Sequence, residues 1–196
     1  AAQVGRCLRV TYDSTVLYDD MSNGGGFSGD MENALRMNAD CVAVQTFIGA
    51  PGESRSLELL ARTADAGARY GVPTLGVVAV GKEMERTEKF FLLATRVLAE
   101  NGANIVKSYY CEGFEKVAAA CPVPIVIAGG KKLPEAEALE MAYKAIQEGA
   151  HGVDMGRNIF QSDSPAGMAQ AIGKVVHESY TPVQAYEVYQ EIKNQQ

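Results

Sequence analysis

Tryptophan is absent from the 196 residues, and histidine occurs only at His151 and His177. Four cysteines (Cys7, Cys41, Cys111, Cys121) show no Cys-x-x-Cys spacing and no nearby histidine pair. That leaves no ligand set for zinc, so no metal is expected. Cys7, Cys41 and Cys121 flank or begin apolar strands, which reads as buried structural thiols and a cytoplasmic setting. Basic residues are outnumbered, 18 against 24 acidic, for a net charge of -6. Neither nucleic acid nor an anionic membrane is therefore expected as a partner, and any anionic ligand must meet local positive charge. No apolar run reaches membrane-spanning length, and the N-terminus has neither the charged nor the apolar region of a signal peptide. No Gly-x-Gly-x-x-Gly follows the first strand, against a dinucleotide fold.

What is present is an ordinary globular composition, 47% hydrophobic and 21% charged. It suffices for a single domain over residues 1–196 with a sizeable core. Strands are expected at Cys7–Tyr12, Cys41–Phe47, Thr74–Val80, Ala103–Tyr110, Ile125–Ala128 and Gly152–Met155. Helical spacing runs between them, as in Leu57, Leu60, Ala61, Ala64 and Ala68, with Gly71 placed as a left-handed cap. Pro134 stands where a first helical turn favours proline, Ser164-Pro165 opens another helix, and Thr181 to Gln184 has capping-box spacing. Asn23-Gly24-Gly25-Gly26 reads as a loop. Gly76 to Lys82 resembles the opening of a phosphate-binding P-loop, but Glu83 stands where a hydroxyl should hold magnesium, and the middle residues are strand.

Regular strand–helix alternation with Val/Ile-rich strands predicts a parallel sheet covered by helices. Similar entries at Asn38-Ala39-Asp40, Asn101-Gly102-Ala103 and Glu148-Gly149-Ala150 favour a (β/α) barrel over a doubly wound sheet. Six units are countable where a TIM barrel has eight. The expectation is a (β/α)8 TIM barrel lacking its first two βα units, with strands 3 to 8 present. Its two end strands, near Leu8–Thr11 and Gly152–Met155, would then be edges.

Four features carry chemistry. Lys107 follows Ile105-Val106 near the carboxyl end of a buried strand. Desolvation there disfavours an ammonium, and a neutral amine attacks carbonyl carbon as Schiff-base lysines do; a lysine merely reaching solvent past the strand end is the plainer alternative. Gly129-Gly130 and Gly156-Arg157 close the next two strands, where such barrels bind phosphate on backbone N–H groups beside a short extra helix, here Asn158 to Gln161. Arg157 can chelate the anion, and Lys131 or Lys132 can add charge. Asp154 is costly inside an apolar strand unless paired; it either serves Lys107 or substrate, or is a satisfied structural carboxylate. Tyr109 shares the strand parity of Lys107 and is either a proton donor or a rim aromatic.

Ile-Val-Lys-Ser-Tyr-Tyr, then Cys-Pro-Val-Pro-Ile-Val-Ile-Ala-Gly-Gly-Lys-Lys-Leu-Pro, then Gly-Val-Asp-Met-Gly-Arg-Asn-Ile-Phe-Gln-Ser-Asp resemble the class I (DeoC/FbaB-type) aldolase family. That family contains the archaeal-type fructose-bisphosphate aldolases. The resemblance implies a barrel, a Schiff-base lysine at Lys107, phosphate contacts at Gly129, Gly130, Gly156 and Arg157, and ring-like homo-oligomers. Val80 stands where the fructose-bisphosphate aldolases carry a catalytic tyrosine, which favours the thiolase-like branch. That branch degrades phosphorylated autoinducer-2, a 2,4-diketone, passing acetyl to coenzyme A and leaving dihydroxyacetone phosphate. Coenzyme A would be a co-substrate, and no tightly held cofactor is implied. The family's first two strands, with an Asp-His-Gly stretch at the mouth, have no counterpart here. An aldolase of phosphorylated keto sugars and an inactive phosphate-binding scaffold stay open as alternatives.

Overall fold

The computed structural model describes residues 4–13, 25–80 and 86–195. The chain divides into two compact units, Ala1–Ser108 with Ala120–Pro124, and Tyr109–Ala119 with Ile125–Gln196. Strands β1 (Cys7–Arg9), β2 (Thr11–Tyr12) and β3 (Gly26–Phe27) precede helix α1 (Met31–Arg36). Then come β4 (Cys41–Thr46), α2 (Glu53–Tyr70), β5 (Thr74–Val78), α3 (Glu88–Glu100) and β6 (Ile105–Tyr109). They are followed by α4 (Phe114–Ala120), β7 (Ile125–Ala128), α5 (Glu135–Gln147), β8 (Gly152–Asp154), α6 (Arg157–Phe160), α7 (Pro165–Glu178) and α8 (Pro182–Lys193).

In the first unit β1, β4, β5 and β6 pair parallel in chain order, with Leu8, Val42 and Thr74 in one register row and Gln45, Val77 and Lys107 in another. Side chains alternate across such a sheet, so each strand has two dissimilar faces. One carries Val42, Val44, Thr74, Val78, Val106 and Ser108, all buried. Gly76 belongs to it, because a Cβ there would meet Leu98 of α3 at 3.0 Å. This face packs helices through Leu60, Phe91, Ala94 and Leu98, each fully buried. Cys41, Gln45, Val77, Ile105 and Lys107 lie on the other face, and all five are half-buried.

Helix ends follow their local chemistry. Asp30 accepts from the Asn33 N–H to cap α1, and Thr87 accepts from Phe90 to cap α3. A side-chain cap of this kind contributes about 1 kcal/mol. Gly71 ends α2 at φ 69°, a left-handed conformation that costs glycine little.

The second unit pairs β7 with β8 in parallel, Val126 beside Gly152 and Ala128 beside Asp154. Its core joins Ala138, Leu139 and Ala142 of α5 to Met168, Ala171, Ile172 and Val175 of α7 and to Ala185 and Tyr189 of α8, with Val153 packed against them. Ser164 caps α7 by accepting from Gly167, with Pro165 at its first turn. At α8, Thr181 and Gln184 form the full reciprocal capping box. No helix among the described residues is long and apolar enough to cross a membrane.

Six expectations need correction. The first strand stops at Arg9, and Thr11–Tyr12 pairs antiparallel with Gly26–Phe27. Gly26 is therefore strand rather than loop, while Asn23 and Gly24 lie outside the described residues. Pro134 is the cap before α5 instead of its first residue. Cys7 is exposed and Cys41 half-buried, so only Cys111 and Cys121 are buried thiols. Asp154 ends β8 in an exposed position and incurs no burial cost there. Lys107 is half-buried, like Ile105 and Tyr109 on the same face of its strand. The Gly81-Lys82 end of the P-loop-like run lies outside the described residues, and Gly76 to Val78 is strand.

Candidate active site

Lys107 is the middle residue of β6 and stands on the face that receives no helix. Val77 is its register partner on β5, and Gln45 follows in the same row on β4. Its neighbours in sequence, Val106 and Ser108, point the other way and are buried. The strand is thus anchored on both sides of the lysine while the lysine stem crosses a half-covered surface. Tyr109 has the same parity and is also half-buried. Tyr110 breaks the series. Its hydroxyl donates to Glu148 Oε1 at 2.8 Å, and its ring packs against Phe114 at 5.7 Å between centroids. Burial first, and then the Glu148 carboxylate, push the Tyr110 phenol up to about 12.

The second unit contains the glycine-rich strand ends. Beyond the Ala128–Asp154 register pair, β7 continues into Gly129-Gly130 and β8 into Met155-Gly156. Gly129 is buried, and a Cβ on it would meet Asn158 Nδ2 at 2.8 Å and Met155 Cγ at 3.0 Å. Gly130 adopts φ 62°, which a side chain would strain. Arg157 starts α6, and Arg157 and Lys131 are both exposed. Neither side chain has a hydrogen bond or ion pair among the described residues. Lys132 is committed elsewhere: its ammonium donates to Glu135 at 2.7 Å and to the Leu133 carbonyl at 2.9 Å. That hydrogen bond holds the Glu135 carboxyl below the usual carboxylate range. Of the two lysines after the glycines, Lys131 is the one available to a ligand. Asp154 lies on the face opposite Val153, the residue packed into the helical core.

Sequence reasoning passed over Asn158. It is fully buried, its Nδ2 donates to the Gly129 carbonyl at 2.8 Å, and its Oδ1 accepts from the Leu133 N–H at 2.7 Å. One amide therefore holds the loop 129–133 against the start of α6. A polar residue one step after Gly156-Arg157 in an apolar context was the available signal.

Lys107 falls in the first unit and the Gly129, Gly130, Lys131, Gly156 and Arg157 group in the second. Among the described residues no three His, Cys, Asp or Glu side chains come together as a metal-binding group.

The profile of the DeoC/LacD family of aldolases matches residues 13–162. A 3-hydroxy-5-phosphonooxypentane-2,4-dione thiolase from Enterobacter sp. (strain 638) is 57% identical over 164 residues, 83% of this chain and 56% of the relative. One of the same name from Yersinia enterocolitica is 54% identical over 183 residues, 93% of this chain and 62% of the relative. The chain thus spans little more than half the length of these relatives. Among solved structures, a fructose-bisphosphate aldolase from Slackia heliotrinireducens superimposes with a TM-score of 0.85 at 20% identity, over 97% of this chain and 67% of that one. An archaeal fructose 1,6-bisphosphate aldolase gives 0.81 at 23% identity, over 89% and 72%. At such identities the likeness concerns the fold: six of the eight βα units of a (β/α)8 barrel.

Proposed function

This chain belongs to the DeoC/LacD aldolase family, and from that premise we propose that it carries the Schiff-base centre of a thiolase acting on a phosphorylated 2,4-diketone. The carrying observation is Lys107, a lysine in mid-strand on the helix-free face of a sheet whose other face is fully packed. The relatives' name supplies the substrate class, 3-hydroxy-5-phosphonooxypentane-2,4-dione.

In this reading Lys107 Nζ adds to the C4 ketone, and loss of water leaves an iminium. A coenzyme A thiolate attacks the C2 carbonyl, the C2–C3 bond breaks, and its electron pair flows into the iminium to give an enamine. Acetyl leaves on the thiol. Protonation of C3 and hydrolysis of the iminium then release dihydroxyacetone phosphate and restore the amine. Tyr109, on the same face as Lys107, is the proposed proton donor at C3, with Asp154 as the alternative. The phosphate would rest on the Gly129-Gly130 and Gly156 backbone with Lys131 and Arg157 as counter-charges. That pairing is supported by the absence, among the described residues, of any other partner for those two side chains. Coenzyme A enters as co-substrate. The working enzyme would be a cytoplasmic homo-oligomer.

The test is borohydride reduction in the presence of dihydroxyacetone phosphate, followed by peptide mass mapping. The expected adduct is on the Lys107 peptide and disappears in Lys107→Ala. An adduct that persists in that variant overturns the assignment. Turnover of a phosphorylated keto sugar without coenzyme A would point to an aldolase, and phosphate binding with no adduct to a scaffold.

A further inference from the structure

Cys7 and Cys41 were expected to be inert core thiols, and the fold puts them somewhere else. They are direct register partners on the parallel strands β1 and β4. Parallel neighbours lie about 4.8 Å apart, inside the range of Cα separations that disulfides span. Directly opposed residues share a sheet face, so the two Cβ bonds point the same way. The face is the helix-free one: Cys7 is exposed and Cys41 half-buried, and both are reduced thiols. The two sulfurs are in hydrogen-bond contact. The remaining cysteines, Cys111 and Cys121, are buried. Nothing in the proposed thiolase chemistry uses this pair.

We propose that Cys7 and Cys41 form a redox-active dithiol, closing to an intramolecular disulfide by exchange with a small-molecule disulfide of the glutathione type. The hydrogen bond from Cys7, aided by a backbone hydrogen bond from Leu75, draws the Cys41 thiol below its ordinary range against the opposing effect of burial. Cys41 is therefore the first nucleophile. Its thiolate attacks one sulfur of the incoming disulfide and expels a thiolate, which takes up a proton. Cys7, having given its proton to solvent, then attacks the Cys41 sulfur of the mixed disulfide and expels the second thiolate. Two protein thiols are oxidised, one disulfide is reduced to two thiols, and atoms and electrons balance.

The experiment treats the full chain with oxidised glutathione, quenches with acid, and counts thiols in denaturant by mass. Thiols should fall from the four of the reduced chain to two, with the mass lowered by two hydrogens and no glutathione retained. Peptide mapping should show the Cys7 and Cys41 peptides joined, and a dithiol reductant should restore all the thiols. In Cys7→Ser the reaction should stop at a stable glutathione adduct on Cys41. Because Cys7→Ser changes one exposed atom, its folding can be verified by its circular dichroism alongside wild type. Persistent adducts on wild type, a link involving Cys111 or Cys121, or no reaction at all would each overturn the proposal.

Discussion

Replacing Asn158 by alanine removes both hydrogen bonds of one buried amide, those to the Gly129 carbonyl and from the Leu133 N–H. The side chain is fully buried, so water has no ready access to the two backbone groups left behind. An orphaned buried polar group costs about 1–3 kcal/mol, hence roughly 2–6 kcal/mol for the pair. A domain's whole stability is about 5–15 kcal/mol, so the variant should still fold when cool. At about 2–4 °C per kcal/mol for a chain of this length, its melting temperature should fall by roughly 5–20 °C. Asn158→Asp sharpens the test. It preserves shape and the acceptor for Leu133, but sets an oxygen against the Gly129 carbonyl and a negative charge beside the proposed phosphate site. If the amide's bonds matter rather than its volume, this isosteric variant should also melt well below wild type. Inorganic phosphate, titrated calorimetrically, should bind at least tenfold more weakly, which is about 1.4 kcal/mol. Differential scanning calorimetry reads the first effect. If both variants melt with the wild type, Asn158 is not the strut described here, whatever the phosphate result.

Gly129→Ala should cost about 1–3 kcal/mol, since its Cβ would press on Asn158 and Met155; an unchanged denaturation midpoint in urea would contradict the close packing. The Tyr110 phenol, raised to about 12, stabilises the fold fully below the unfolded tyrosine value of about 10 and loses that contribution as pH rises through about 12. Ultraviolet titration should show a late phenolate step that vanishes in Tyr110→Phe. Glu135 is held low by Lys132, so its contribution is present above the unfolded glutamate pKa of about 4.3 and disappears as pH falls through the lower folded one. Glu135→Gln should flatten that acid limb by about 1 kcal/mol or less, the pair being partly solvated, as chemical denaturation across that range would show.

Much of the fold was legible because each local signal had one dominant cause. Gly71, Ser164-Pro165 and the Thr181 capping box ended or began helices where their backbone chemistry required. Strands β4 to β7 could be read from apolar runs because one face of each is fully buried. What was not legible depended on which face stayed uncovered. A run such as Val-Ile-Ala gives no parity, so burial was assumed for Cys7 and Asp154 and was weighed against solvent access for Lys107. All three turned out to be on positions with solvent access. The hairpin of Thr11–Tyr12 with Gly26–Phe27 was hidden for another reason: two-residue strands have too little sequence to show a period. Asn158 was missed because its importance comes from partners 25 and 29 residues away, a separation no local pattern reports.

The two faces also explain why chemistry could accumulate on one of them. On the helix-packed side every position is filled: Gly76 has Leu98 at contact distance, and Val42, Val44, Val106 and Phe91 have no exposed surface. A polar substitution there would bury an unpaired group, at a cost of about 1–3 kcal/mol by mutational measures. On the opposite side Cys41, Gln45 and Lys107 remain half-solvated, so reactive side chains there carry little of that penalty. Most of the fully buried positions lie on one face, and the other, where Ala43 and Leu75 are also buried, holds an amine and a pair of thiols. The same division operates at the ends of β7 and β8. There Ile127 and Val153 secure the strands to the helical side, and the glycines beyond them, braced by Asn158, hold the backbone where Lys131 and Arg157 extend into solvent.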